Sequence, residues 1–586
     1  MLGKRDHQQG LFDVGNVFPV RLKPGTFHYQ LAQVAADLFR DEEFAEFYDR
    51  TNGRPSVPPS QLALTTVMQH QAQASDEEAI ACTEFDLRWA AVLRREAGTP
   101  LCAKSTLQLF RAQLVLHEGA RTIFKRSIER AREAGLLKGK GLRVALDTKP
   151  IDGRGAVQDT FNLLAEGIRQ LARALCARAG AGYEVWMGSQ GLERYAQSSI
   201  KGSAEIDWSD EEARNRLLTE IVGDARKILA LAVGQGPQVR QAADLLSTLL
   251  LQDVEEQASD GEPAEARVRD GTASGRVPSV SDPEQRHGRK SKSKRFTGHK
   301  AAVAVDEESQ IITAVAVLAG DAPDARGAIE LVQESEQNTG MVVEQTTGDC
   351  AYGGGETRQQ FTDAGRVLYA KSPQDAEARG LFPKRAFAID LQAHTVTCPQ
   401  GHVCRDFTAE RNGGKTYTFG AVCSSCPMRK WCTRSSSGRT VRVHPREALL
   451  QQARAYQATE EGRAQLRKRV VVEHRLARLG QLGIGQARYV GRLKTGFQLL
   501  MAATVANLRR TWNWAAAQEG TQSTWLAPSC TVHACTGPPQ RHMQPLTFLM
   551  ALARTARSLV PGARREFTAI LAATVLFRKP AFRPQF

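Results

Sequence analysis

The sequence of 586 residues predicts an α/β core that is interrupted twice and preceded by an all-α domain. The order of periodicities predicts it. Helical spacing fills residues 28–135, a lone strand follows near residue 145, and a long helical stretch comes next. A hairpin, a helix, two short strands, a cysteine-rich stretch and final helices complete the order. Length agrees, since a chain of this size exceeds what one core organises.

HYQLAQVAADLFRDEEFAEFY places apolar residues at helical spacing. QLALTTVMQHQAQ is entered through Pro58, Pro59 and Ser60. Ser75 with Glu78 predicts a capping box, and Ser105 predicts the N-cap of TLQLFRAQL. Val144 and Leu146 then alternate with Arg143, Ala145 and Asp147, a strand that Pro150 and Gly153 are expected to end. Val157 to Leu251 is helical again. Residues 252–295 run from acidic to Ser/Gly/Pro-rich to basic, the composition of a flexible surface segment.

FTGHKAAVAVDEESQIITAVAVLAG reads as a hairpin with DEES at its turn. Asp321 and Pro323 are expected to open a helix over 323–337, and VVEQTTGD and RVLYAKSP to form short strands. A long helix is expected from Thr459 and another over 495–517. The boundaries that follow are 1–137 for the helical domain and 138–154 with 286–375 and 455–518 for the core. Residues 155–285 form a helical insertion, 376–454 a cysteine-rich insertion, and 519–586 a basic tail holding the apolar run PLTFLMALARTARSL.

The formal charge is +15, unevenly spread. From Thr433 onward there are 24 Lys and Arg against 6 Glu, leaving 54 against 57 acidic residues before it. A basic final quarter beside a neutral remainder points to a polyanionic partner, nucleic acid. No stretch approaches ~20 uninterrupted apolar residues, so no membrane span is expected. MLGKRDHQQG lacks the apolar segment of a signal peptide, and a cytoplasmic, nucleoid-associated location is expected.

Asp147 and Asp349 each end a predicted strand, where α/β folds place chemistry. EQTTGDCAYGGGE has no Lys after its glycines, so it is not a phosphate loop. It reads as a strand delivering Asp349, with glycines that let the backbone turn away. On QLRKRVVVEHRLARLG, Glu473 shares a helical face with Leu466, Val470 and Ala477 and interrupts an apolar stripe. It either pairs with Arg469 one turn earlier or joins other carboxylates around a metal. Three converging carboxylates suit Mg²⁺, which prefers oxygen ligands. Asp152 is an alternative ligand.

Five of the eleven cysteines fall between Cys398 and Cys432. TCPQGHVC and CSSCPMRKWC give the spacing of a structural Zn²⁺ site, with Cys398, Cys423, Cys426 and Cys432 as preferred ligands. Cys404 or His402 can replace one of them. HGRKSKSKRF, with Arg289, Lys290, Lys292 and Lys294, is either a phosphate-contacting run or a linker.

These motifs, in this order, resemble the DDE transposases of bacterial insertion sequences, most closely the group conventionally numbered eleven eighty-two. GRPSVPP, SDEEAIACTEFDLRWAAVL and STLQLFR are similar to that group's N-terminal helical domain. ALDTKPIDGRGAVQD, TTGDCAYGGGET and RKRVVVEHRLARLG match the segments bearing the three catalytic acids. The resemblance implies an RNase H-like mixed sheet in which Asp147, Asp349 and Glu473 hold two Mg²⁺. It implies cleavage at each element end by water, then attack of the freed 3′-OH on target DNA. Related transposases surround the glutamate with Tyr, Arg and Lys. Arg469 fits the arginine, whereas Leu466 and Gly480 stand at the other two positions. Arg488, Arg492 or Lys494 is then expected to supply the missing phosphate contact. The implied partners are double-stranded terminal repeats, read by the helical domain, and target DNA, with a dimer or larger assembly on DNA. Two rival readings are an RNase H-like nuclease that cuts without joining, and a zinc-stabilised DNA-binding protein without catalysis.

Overall fold

The computed structural model describes residues 1–6, 12–14, 22–139, 141–257, 264–291, 293–373 and 380–523. The predicted tail at 519–586 and Lys292 therefore lie outside the residues whose side chains are described. α1 (Phe27–Val34), α2 (Pro59–Ala72), α3 (Asp76–Phe85), α4 (Leu87–Leu93), α5 (Lys104–Leu116) and α6 (Gly119–Glu133) form the N-terminal helical region. Pro59 opens α2 at a position whose N–H would go unused. The capping box at α3 is present: Glu78 N donates to Ser75 Oγ at 3.2 Å, and Ser75 N donates to Glu78 Oε2 at 2.7 Å. Ser105 is not an N-cap, because α5 starts one residue earlier, after Ala103.

β1 (Gly141–Asp152) runs through Pro150 to its end, against expectation. It pairs in parallel with the later β7 only up to Ala145, and beyond that with β5, apart from a single bridge between Asp152 and Gln486 at its end. That stretch is an edge, where a residue lacking an N–H is tolerated. The first insertion packs α7 (Thr160–Ala179), α8 (Tyr183–Ser189), α9 (Ile200–Ser203), α10 (Glu211–Leu231) and α11 (Pro237–Asp253) around a core of its own. β2 (Val254–Gln257) and β3 (Glu265–Val268) close it as a hairpin.

The expected flexible segment is built into the fold where it is described. Ser279, Asp282 and Gln285 are fully buried. Gln285 Nε2 donates to Gly155 O at 3.1 Å, and Gly491 N donates to Asp282 Oδ2 at 3.3 Å. β4 (Arg286–Arg289) then forms a hairpin with β5 (Arg295–Asp306), so the described residues of HGRKSKSKRF belong to a hairpin and not to a linker.

β6 (Ile312–Ala319) pairs with β5 across the polar DEES turn. α12 (Ala328–Thr339) starts later than expected, because residues 321–327 form turns closed by Gly327 in the left-handed region. β7 (Val342–Gly348), α13 (Gly355–Asp363) and β8 (Leu368–Ala370) follow. The sheet therefore reads β6-β5-β1-β7-β8, with β4 on the first residues of β5; β1, β7 and β8 are parallel and β5 is antiparallel. Both faces are covered, so Val144, Ala145 and Leu146 are all buried and strict alternation is lost.

The second insertion carries two small antiparallel sheets, β9 (Ala388–Asp390), β10 (Thr395–Thr397) with β11 (Val403–Cys404), and β12 (Phe407–Ala409), β13 (Lys415–Thr418) with β14 (Thr440–Val443). α14 (Arg429–Cys432) lies within it, and Val396, Tyr417 and Val441 centre its core. α15 (Glu447–Ala458), α16 (Glu460–Arg467), α17 (Val470–Gln481) and α18 (Arg492–Ser523) complete the described chain. The main core is continuous from Leu31 through Val303 to Leu508, so the N-terminal helices, the sheet and α18 share it. No helix among the described residues is long and apolar enough to cross a membrane.

Candidate active site

β1 and β7 are parallel neighbours, with Ala145 opposite Thr347. Two residues on from this pair stand Asp147, on β1, and Asp349, just past the end of β7, so the register brings both aspartates to the same end of the parallel pair. Asp147 is 19% exposed at its side chain. Its Oδ1 accepts from Thr148 N at 2.7 Å, and its Oδ2 accepts from Arg469 Nη1 at 3.1 Å. Burial, with like charge on Asp349 and Glu473, raises its pKa to about 6 in spite of Arg469 and the Thr148 N–H. Asp349 caps the short turn Cys350–Tyr352, its Oδ1 accepting from Ala351 N at 2.8 Å.

Glu473 reaches the same place from the first turn of α17. The helix expected to be continuous from Thr459 is broken. Lys468 N, Val471 N and Val472 N bond three residues back, to Gln465, Lys468 and Arg469. That tightened turn rotates α17 relative to α16. Val472, Leu476 and Leu479 are the buried face of α17, which packs on β1 and β5, whereas Val470 and Ala477 are exposed. Glu473 therefore does not interrupt an apolar stripe. Its side chain is half exposed, and it accepts from Arg469 Nη2. One guanidinium thus joins Asp147 to Glu473, so Glu473 both pairs with Arg469 and is linked through it to Asp147.

Two side chains missed in the sequence complete the site. Tyr352 is buried, and burial with the negative charge of Asp147, Asp324 and Asp349 pushes its pKa well above the usual tyrosine value. Lys149 follows Asp147 by two residues on β1 and reaches α17 at Gly480. Burial and then the charges of Lys290 and Lys294 lower its pKa. The period of the strand was the available signal for Lys149, since it puts residues 147 and 149 on one face. Asp152, the alternative ligand, has its backbone tied to Gly485 and Ala487.

The other expected contacts divide. Arg488 donates to Ala74 O and lies over the Tyr489 ring, so it joins α17–α18 to the N-terminal helices. Arg492 Nε pairs with Glu284 at 3.0 Å. Lys494, Arg289, Lys290 and Lys294 are exposed.

Cys398, Cys423, Cys426 and Cys432 line one cavity of about 20 Å³ together with His402. Cys404 is not among them. Its Sγ donates to Asp406 O at 3.4 Å and Thr418 O at 3.3 Å. Arg439 brackets the cavity: its N–H donates to Cys423 Sγ at 3.4 Å and its Nη1 to Cys432 O at 3.1 Å. Neither the cysteines nor the acids are closed into a cage: among the described residues no three His, Cys, Asp or Glu side chains stand at ligating separation. At the acids, Arg469 occupies the space between two of them.

Two family models match the chain. One described as a transposase domain covers residues 18–113, and one described as a transposase DDE domain covers residues 397–512. Arg469, Glu473 and the four cysteines fall inside the second, while Asp147 and Asp349 fall in neither. No curated protein and no solved structure matches the chain.

Proposed function

We propose that the chain is a DDE transposase of the insertion-sequence type, the reading its two matched transposase domains support, and that it cuts element ends and joins them to target DNA at Asp147, Asp349 and Glu473. The observation that carries this reading is that one guanidinium, Arg469, joins the carboxylates of Asp147 on β1 and Glu473 on α17, while the charge of Asp349 past the end of β7 also acts on Asp147. The strand order β6-β5-β1-β7-β8 supports reading the sheet as RNase H-like. Placement in the group numbered eleven eighty-two rests on the sequence resemblance.

The acids fit a divalent cation by their chemistry. All are hard oxygen donors, and the crowding that raises the Asp147 pKa is relieved by positive charge. When bound, two Mg²⁺ supply activation of the attacking oxygen and stabilisation of the leaving one. Backbone N–H groups of Thr148 and Ala351 orient Asp147 and Asp349. Arg469 stands on the turn between α16 and α17, so its guanidinium can pass from carboxylate to phosphate without core rearrangement.

The four cysteines fit a structural Zn²⁺ by donor type, by their single cavity and by the N–H donated to Cys423 Sγ. His402 is the alternate ligand. The exposed hairpin tip and Lys494 offer backbone phosphate contacts, and the N-terminal helices are assigned to the terminal repeats. Synapsis of two ends requires at least a dimer on DNA.

The test combines the protein with its element's end DNA, a target plasmid and Mg²⁺. Cut ends and joined products are expected, and Asp349→Ala abolishes both while leaving duplex binding. Cut ends without joining leave a nuclease. Cutting retained by Asp349→Ala removes the site.

A further inference from the structure

We propose that Lys149 is a phosphate-binding residue of this site, its ammonium held over Gly480 to receive a DNA phosphodiester beside the one that reacts. The proposal rests on the transposase reading for the identity of the anion alone.

Asp147 and Lys149 leave β1 on the same face, and both meet α17. Asp147 reaches its first turn through Arg469 and Glu473, and Lys149 reaches its last turn. A Cβ placed on Gly480 would lie 3.2 Å from Lys149 Nζ and 3.3 Å from its Cε. The bare backbone of Gly480 therefore makes the room in which the lysine lies. Glu473 and Gly480 are seven residues apart, roughly 10 Å along a helix. That distance sets Lys149 at a neighbouring phosphate and not at the reacting one.

Among the described residues no carboxylate pairs with this ammonium. The charges acting on Lys149 are Lys290 and Lys294, at the tip of the β4–β5 hairpin. The tip is held by Lys290 N donating to Lys294 O at 2.9 Å. Partial burial of an unpaired cation costs free energy, and so does crowding like charges. An anion entering between strand, helix and hairpin relieves both. The polyanion that must lie across the carboxylates is that anion, and Lys149 contacts it from the floor while the hairpin contacts it from the rim.

The test measures binding of a short fluorescein-labelled duplex of arbitrary sequence by anisotropy across a salt series. Lys149→Met keeps the aliphatic stem and removes the charge. Its log-affinity against log-salt slope is expected to be shallower by about one unit than that of the wild type. Lys149→Ala combined with Gly480→Lys returns an ammonium to the same place from the helix side, and the slope is expected to recover. An unchanged slope in Lys149→Met overturns the proposal. So does a slope that the double variant fails to restore, which would make Lys149 structural. A wild-type chain that shows no salt-dependent duplex binding removes the transposase reading and this proposal with it.

Discussion

Arg469 Nη1 donates to Asp147 Oδ2 at 3.1 Å, and Nη2 of the same guanidinium meets Glu473. A cation thus already stands where the resemblance puts metal. If side chain and ion compete for those oxygens, removing the side chain changes the ion's effect. Arg469→Ala is expected to destabilise the metal-free chain by about 1 kcal/mol, the scale of a half-buried ion pair. Mg²⁺ is then expected to raise the variant's thermal midpoint more than the wild type's. Equal shifts would show that the two do not share ligands.

Asp147 gives the site a pH signature. Its folded pKa, about 6, lies above the ordinary 3.8, so between those values the folded chain binds more protons than the unfolded one. Stability contributed by this group therefore falls as pH rises through that window, the reverse of a salt-bridged carboxylate. The full difference is on the order of 3 kcal/mol. Asp147→Asn is expected to flatten the dependence of the metal-free thermal midpoint between pH 4 and pH 6 (the two pKa values, rounded). A variant with the wild-type slope would mean that the protons bind elsewhere.

The sequence carried the strands of this site better than its helix. β1 and β7 are legible because each is β-rich up to its aspartate, although β1 runs on past Asp147 to Asp152 and burial on both faces removes its strict alternation. Glu473 is legible as an acidic residue of the helix, but the face it occupies is not. The turn at Lys468–Arg469 has no Gly or Pro to announce it, and three-residue bonds there shift every later side chain. The segment 276–289 belongs to the stretch 252–295, whose Ser, Pro and Gly content is that of a flexible surface segment. Its order comes from partners remote in sequence, such as His299, whose Nε2 lies 3.5 Å from Asp282. Local composition does not encode such partners.

The glycines after Asp349 do different jobs. They lead into α13, and room is needed at Gly353 and, against the His444 ring, at Gly355, but not at Gly354. A Cβ on Gly353 would lie 1.8 Å from Lys371 O, backbone that cannot give way cheaply, while one on Gly354 meets nothing within 4 Å. Gly353→Ala is expected to cost about 3 kcal/mol and to slow cutting by displacing the Asp349 turn. Gly354→Ala is expected to stay within about 0.5 kcal/mol. Urea denaturation of the two variants checks the contrast, and equal costs would refute it.

The cysteine cavity yields a prediction separate from the acids. The core of the second insertion is small, resting on Val396, Tyr417, Val441 and a few neighbours, and so gains most from a metal clip. The purified chain is expected to carry about one zinc, as a four-ligand site would. Cys426→Ser, or a chelator, should release it and open the insertion to protease. Cys404→Ser should keep the metal, because the Cys404 thiol already bonds Asp406 O and Thr418 O. The pH dependence set by Asp147 should survive metal loss, since the main core does not pass through the insertion. A chain without zinc whose insertion resists protease regardless of chelator would show that hydrophobic packing alone holds it.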